Sequence, residues 1–529
     1  MRVRSGRFCT TLLTAFVLSV SCAFVSAQQL PNTENGESTG VAEIDLLKPN
    51  RGTASADLTK SLIKTTSEFA IPELRKNSVP VPIDVTTEST DARNYARQGF
   101  GLLQSNWDFE SHRCFIKAIE SDPNCLPAYS GLLIQAKHKH SLSSPYFSDL
   151  IGKVQELKIS RNGKEYKYTA QERLYADLAL AIAEEDSEER TEVFINFKKK
   201  YPVDFYAHVI DSVILTTRGM KERENHLENL MRRYRFSPLL WSTWVNVHLT
   251  TQTYNAKQME EKVLPIVEKI IRWEGEDALP VWHLRKGRVL RKMNKLTDAE
   301  AAFNKASEMF IRWGKENKIP LEYNDGFWKA QMFKVSTLYE LGEFDQAMKL
   351  AKELQATKIN PLVQSEVRGI YLWEVQTLPT RLYIARAKEG DLKLALEALP
   401  KNEFLSSIEK ESAAAMYCGG LFEYVAILNE LKKGNVRKAQ TLRDGIAKRL
   451  DDFNSTVAEF GDSFADKNYL LRGKKTLDAY AYHCHGLIEY RLMKDKDNFQ
   501  KALEVARTYS KQRANMAEMP QQVLSDWAQ

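Results

Sequence analysis

The chain has 529 residues, 43% of them hydrophobic, and it is poor in glycine (24) and proline (17). Scarce helix-breaking residues favour long helices, and the apolar content is ample for a packed core. The formal net charge is only +6, whereas a nucleic-acid-binding protein is usually far more basic and clusters its charge, so nucleic acid is not an expected partner.

The first 27 residues have the pattern of an export signal. Three arginines precede an apolar run over 12–20, and a small-x-small cleavage site ends at Ala27. Cleavage there is favoured over lipidation at Cys22, because Ser19 stands where a lipobox needs an aliphatic residue, and over a retained anchor. The sequence therefore predicts an exported protein, periplasmic or extracellular, whose mature chain has no transmembrane segment.

Residues 28–90 have the composition of a disordered linker. Asn, Ser, Thr, Gly and Pro dominate, aromatic residues are almost absent, and 79–82 alternates valine with proline. From Asp91 onward, hydrophobic residues recur at spacings of 3, 4 and 7, which is the period of an α-helix. The sequence thus predicts an all-α fold over 91–529, closed by a capping helix over 497–513.

A sequence pattern recurs in this helical region: a glycine, a short polar stretch, then an amphipathic helix with alanine on its apolar face. It occurs at Gly287, Gly342, Gly390 and Gly434. The last three glycines are predicted to lie at turns between helices, where a left-handed residue is needed. Gly287 is predicted to let two helices approach closely, while Phe303 fills the groove toward the next pair. Such a repeat predicts an α-solenoid, in which stacking buries the apolar face of each hairpin.

The chain here resembles the tetratricopeptide repeat family, in particular exported bacterial members. Family positions are matched by Gly99, Leu102, Phe115, Ala118 and Pro123, and later by Gly287, Leu290, Ala299, Phe303 and Ala306. The resemblance covers roughly 91–515, although glycine spacings of 48 and 44 exceed the family unit of 34 residues. It implies a superhelix of antiparallel helix pairs whose concave groove binds a protein or peptide.

Basic residues on predicted first helices are the candidate ligand-binding residues. They are Arg285, Arg288, Arg291 and Lys292, together with Arg381 and Lys388 of a later unit. If Gly287 takes the family's eighth position, the first four resemble groove-facing residues. Arginine can hold a carboxylate through two parallel hydrogen bonds, so the partner is expected to be acidic. The alternative is a solvated helix face balanced by nearby acids such as Asp298.

No sequence motif points to catalysis. The chain has no HExxH, GxSxG, GxGxxG, phosphate-loop or CxxC motif, so no enzyme activity, catalytic residue, metal or cofactor is expected. His483, Cys484 and His485 cannot face one ion from one helix, because adjacent helical residues point about 100° apart. Cys114 and Cys125 could form a disulfide in an oxidising compartment or remain buried thiols.

The function expected from the resemblance is a scaffold that mediates protein–protein or peptide interaction through its concave groove. The alternative is a surface or periplasmic receptor for a small ligand, such as a glycan or an oligopeptide. Clustered aromatic residues facing the groove would favour the receptor, whereas a line of arginines favours the scaffold.

Overall fold

The structure, a computed structural model, describes most of the chain beyond the predicted signal peptide. The described residues are 55–75, 83–105, 107–138, 146–159, 168–184, 192–193, 195–196, 199–200, 220–233, 238–250, 254–275, 278–357, 374–386, 388, 390–400, 413–460, 467–494 and 496–512. Every regular element in these ranges is helical, which confirms the all-α prediction. The predicted signal peptide, 1–27, lies outside them.

The helices are numbered here in chain order. They are α1 (Ser55–Lys64), α2 (Thr90–Gln104), α3 (Asp108–Ser121), α4 (Leu126–His138), α5 (Phe147–Lys158), α6 (Ala170–Glu184), α7 (Met220–Arg233), α8 (Pro238–Thr250), α9 (Leu264–Glu274), α10 (Pro280–Lys292), α11 (Leu296–Glu316), α12 (Asp325–Glu340), α13 (Phe344–Ala356), α14 (Leu378–Arg386), α15 (Asp391–Glu397), α16 (Ala413–Lys432), α17 (Val436–Phe460), α18 (Lys467–Met493) and α19 (Lys496–Gln512). A π-helical turn, Met259–Val263, leads directly into α9. Across the described ranges, no helix is both long and apolar enough to cross a membrane.

Most consecutive helices pack on one another, and glycine–phenylalanine contacts mark several of their close approaches. A Cβ atom at Gly99 of α2 would lie 2.6 Å from the ring of Phe115 on α3, and one at Gly287 of α10 would lie 2.5 Å from the ring of Phe303 on α11. Phe303 then stacks on Phe333 of α12, with ring centroids 5.5 Å apart. The close approach predicted at Gly287 and the filling role of Phe303 are therefore both confirmed.

The turns between paired helices share one backbone conformation. Gly342, Gly390 and Gly434 have φ angles of 85°, 85° and 82°, which confirms their predicted left-handed conformation. Gly342 also ends α12 in a six-residue loop, because the Glu343 amide donates to the Leu338 carbonyl at 2.9 Å. Asn294 follows α10 in the same conformation with a φ of 59°. The repeated pattern did not predict this turn, because the residue there is not glycine.

We expect Gly342→Ala to lower the free energy of unfolding by about 1–2 kcal/mol, because an L side chain is strained in the left-handed region. No atom lies within 4 Å of the added Cβ, so the loss comes from the backbone alone. Chemical denaturation monitored by circular dichroism measures it.

Gly152→Ala, in the interior of α5, is the matched control, because its Cβ would also meet nothing within 4 Å. There we expect a gain of about 0.4–1 kcal/mol, since a helical φ suits alanine. Equal effects at the two glycines would contradict the assignment of the turn.

The structure corrects the predicted linker over 28–90 where it describes that stretch. Residues 55–64 form α1, whose Leu58 and Leu62 are one turn apart and both buried. Ile83 is buried as well, and the Thr86 amide donates to the Glu172 carboxylate of α6 at 2.6 Å. The apolar residues here are few but regularly placed, so a prediction based on average composition overlooked them.

The turn between α2 and α3 packs against helices far along the chain. Trp107 lies 5.1 Å from Trp313 and 6.4 Å from Phe310, both on α11, measured between ring centroids. The carbonyl of Ser105 accepts a hydrogen bond from Arg285 on α10. This contact, between residues 180 apart in sequence, decides the surroundings of the predicted basic residues.

Candidate functional site

Helix α10 carries four of the predicted site residues at three depths. Proline is its first residue, where a missing N–H costs nothing, and the helix ends at the left-handed turn through Asn294. Arg285 is buried at 3% exposure, Arg288 and Arg291 are half-buried, and Lys292 is exposed. Helical spacing places these cations along one side, but packing gives them different roles.

Arg285 serves inside the protein, which corrects its assignment as a groove residue. Its Nε donates to the Asn246 Oδ1 of α8 at 3.0 Å, and its Nη2 donates to the Ser105 carbonyl. Burial and the positive charge of Arg288 together lower the pKa of this guanidinium to about 9, whereas the negative charge of Glu274 raises it. The side chain ties α8 and α10 to the turn after α2, so a solvent-borne ligand cannot reach it.

The assignment of Arg381 as a groove-facing residue is also wrong, because this side chain is buried as well. It is 3% exposed, and its Nη2 lies 2.9 Å from the Glu374 Oε2 in an ion pair buried on both sides. Lys388 is exposed and lies in the turn after α14, where its amide donates to the Asp391 Oδ2 at 2.8 Å. The two residues therefore do not form a second line of groove-facing cations.

The other three predicted cations of α10 reach the surface, each oriented by a neighbour. Arg291 forms a two-point ion pair with Glu340 of α12, with N–O distances of 3.2 and 2.6 Å. The Arg288 guanidinium lies 5.3 Å above the centroid of the Phe333 ring. The Lys292 Nζ donates to the carbonyl of His248 on α8 at 3.1 Å. We call Arg288, Arg291 and Lys292 the cationic face.

A polar aromatic cluster adjoins the cationic face at Lys292. The ring of His248 stacks on Tyr254 with centroids 3.9 Å apart, and the Tyr254 hydroxyl donates to the Glu224 carboxylate of α7. Lys262 lies against the same hydroxyl, with its Nζ 3.4 Å away. The cluster could not be predicted from residue spacing, because its members come from three separate segments of the chain.

Burial fixes the protonation states in this cluster. It lowers the pKa of His248 to about 4, against the opposing charge of Glu224, so the imidazole is neutral at pH 7. Burial also raises the pKa of Tyr254, as does its hydrogen bond to Glu224, so the phenol stays protonated. The positive charge on this side of the molecule therefore comes from Lys262 and the cationic face rather than from His248.

Of the groups considered for metal or thiol chemistry, all but His485 are packed into the interior. His483 is buried with its Nδ1 2.9 Å from the Tyr424 hydroxyl, whereas His485 is exposed on another side of α18. Cys114 and Cys125 are separate buried thiols, and burial raises the pKa of Cys125 to about 12. In the part of the chain that the structure describes, no three His, Cys, Asp or Glu side chains are grouped to hold a metal ion.

The arrangement suits recognition of a carboxylate. Half-buried guanidinium groups, held in place by an aromatic ring and a partner acid, lose little freedom when they bind an anion. No protein-family model matches this chain, and the search of curated proteins finds no similar sequence. The function must therefore be inferred from the contacts of its own residues.

Proposed function

We propose that this protein is an exported interaction scaffold, a tetratricopeptide-like α-solenoid that binds an acidic peptide segment of a partner protein. One observation carries the proposal: Arg288, Arg291 and Lys292 reach the surface from one helix, each held by a different neighbour. The glycine–phenylalanine crossings at Gly99 and Gly287 support the repeat architecture. The sequence of the first 27 residues supports export.

The binding chemistry follows from what orients each cation. A guanidinium has five N–H donors, so Arg291 can keep its two bonds to Glu340 and still donate to an incoming carboxylate. Arg288 keeps one face on Phe333, and its N–H groups would exchange their present partners for the carboxylate of the ligand. Two or three carboxylates spaced along a peptide would then meet the three cations in turn.

A small-ligand receptor is the less favoured function. A glycan site usually offers an open aromatic ring as a platform, whereas Tyr254, beside the cationic face, is only 9% exposed. Its ring is already covered by His248. An acidic peptide fits the charge and the geometry better.

The test is a comparison of short acidic peptides with the same peptides carrying glutamine for glutamate. We expect the acidic peptides to bind more tightly, and the double variant Arg288→Glu with Arg291→Glu to lose at least about tenfold in affinity, or about 1.4 kcal/mol. Fluorescence anisotropy with labelled peptides measures both differences at low and physiological salt.

Lys286→Glu is the matched control. Lys286 lies on another side of α10 and pairs with Glu268 of α9 at 2.9 Å, so the variant also breaks a partly exposed ion pair between α10 and a neighbouring helix. Its peptide affinity should match that of the unmodified chain. Equal binding of acidic and glutamine peptides would remove the proposed function, and an early thermal transition in the double variant would make Arg288 and Arg291 structural.

A further inference from the structure

Residues 69–75, which we call the strap, form no helix and lie across α2, α3 and the C-terminal end of α11. The buried Pro72 and half-buried Leu74 alternate with Ile71, which is 64% exposed, and with exposed Glu73. Alternation of this kind means that an extended chain turns one face to the protein and the other to solvent. The strap therefore covers the surface formed by α2, α3 and the end of α11, which we call the cleft, as a bound peptide would.

The cleft recognises the strap mainly through its main chain. The Gln98 side chain donates from Nε2 to the Glu73 carbonyl at 2.8 Å and accepts at Oε1 from the Arg75 amide at 2.9 Å. The Tyr95 hydroxyl donates to the Pro72 carbonyl at 3.0 Å. Such bonds replace those of a neighbouring β-strand, and they tolerate many side chains on the peptide.

The other end of the strap is held in the same manner. Arg113 donates from Nη2 to the Ala70 carbonyl, and the Ala70 amide donates to the Asn317 carbonyl at 3.0 Å. The ring of Phe69 sits 5.7 Å from Phe109 and 5.6 Å from Tyr323, measured between ring centroids. An aromatic anchor thus precedes the hydrogen-bonded stretch.

The last residue of the strap, Arg75, is positively charged. The Arg75 guanidinium lies 4.8 Å above the Trp107 ring centroid. Burial raises the pKa of Glu110 and of Glu274, while the charge of Arg75 acts in the opposite direction on both carboxyls. The Trp107 ring, together with the charge of these two acids, therefore favours a cation at this position of any chain that occupies the cleft.

The helices that form the walls of the cleft also pack on each other, apart from the strap. Tyr95 and Gln98 belong to α2, Arg113 belongs to α3, and these two helices are packed together where Phe115 meets Gly99. The preceding α1 has its own buried anchors in Leu58 and Leu62. Packing that does not involve the strap therefore holds the helices that carry Tyr95, Gln98 and Arg113.

We propose that this cleft is a second peptide-binding site, occupied in cis by the strap, and that it accepts in trans an extended partner peptide with an aromatic anchor, a central proline and an arginine at the position of Arg75. The site consists of different residues from the cationic face and prefers the opposite charge. A tethered occupant has a high effective concentration, on the order of millimolar, so the strap also restrains binding by partners.

The test uses the full mature chain and a fluorescein-labelled synthetic peptide of residues 66–76. The double variant Ala70→Pro with Arg75→Pro removes two amide donors of the strap and leaves the cleft helices unchanged. We expect this variant to bind the labelled peptide at least about tenfold more tightly than the unmodified chain does. A peptide with glutamate at the position of Arg75 should bind at least about tenfold more weakly.

The controls separate the cleft from the cationic face. Ile71→Ala with Glu73→Ala changes only exposed side chains and should leave peptide binding as in the unmodified chain. Adding Gln98→Leu to the double-proline variant should abolish binding, whereas adding Arg288→Glu should not. Acidic peptides test binding to the cationic face, and the peptide of residues 66–76 tests binding to the cleft. The failure of one proposed site would therefore be distinguishable from the failure of the other.

Two results would overturn the proposal. One is absence of peptide binding by a double-proline variant that keeps the helicity and melting temperature of the unmodified chain. The other is loss of helicity in that variant, which would make the strap part of the core.

Discussion

Glu110→Ala is expected to lower the free energy of unfolding by about 3–5 kcal/mol. Glu110 and Arg113 form an ion pair on α3 with side-chain exposures of only 3% and 1%. Removing the acid leaves a buried guanidinium whose remaining bonds, to the Ala70 carbonyl and the Asn317 Oδ1, carry no opposite charge. Urea denaturation followed by circular dichroism measures the loss.

Glu120→Ala on the same helix is the control for this prediction. Glu120 pairs with Lys117 at 2.8 Å, with the same spacing of three residues, but its side chain is 49% exposed. A pair in water contributes only about 0–1 kcal/mol, so this variant should stay close to the unmodified chain. Similar losses at Glu110 and Glu120 would mean that the Glu110 pair is hydrated in solution.

Phe115→Ala is expected to cost about 3–5 kcal/mol as well, for a different reason. Its ring fills space that two glycines leave open: a Cβ at Gly99 would lie 2.6 Å from it, and one at Gly131 of α4 would lie 2.3 Å from it. One side chain therefore holds α3 against both α2 and α4. Its removal opens a cavity that glycine, with no side chain, cannot fill.

Phe422→Ala, on α16, is the matched control, because the Phe422 side chain is 52% exposed. The same truncation at a largely solvated position should change the free energy of unfolding by less than about 0.5 kcal/mol. The two variants are compared at equal temperature and denaturant. A small loss at Phe115 would show that α2 and α4 collapse onto the space left by the ring.

The candidate site was only partly predictable from the sequence. Helical spacing identified the cations of α10, and Arg288, Arg291 and Lys292 do reach the surface. Spacing could not show that Arg285 is buried, because the carbonyl it binds belongs to Ser105, 180 residues earlier. Nor could it show that Arg291 would meet Glu340, 49 residues later.

In the N-terminal segment, the sequence predicted too little structure. Average composition predicted disorder over 28–90, yet the structure places α1 and the strap on the helices that follow. Few apolar residues suffice there because the strap is held by hydrogen bonds to its main chain, which every residue type can make. A main-chain contact leaves no mark in the side-chain pattern of the segment that makes it.

The amino-acid sequence by itself determined the helical fold, the left-handed turns at Gly342, Gly390 and Gly434, and the close approach at Gly287. These features depend on local periodicity and on the conformational range of glycine, so residues near one another in the chain decide them. Only the tertiary structure decided which arginines are buried and that residues 69–75 occupy a cleft. Burial and hydrogen-bond partners depend on contacts between distant segments, and the spacing of residues within one helix carries no information about those contacts.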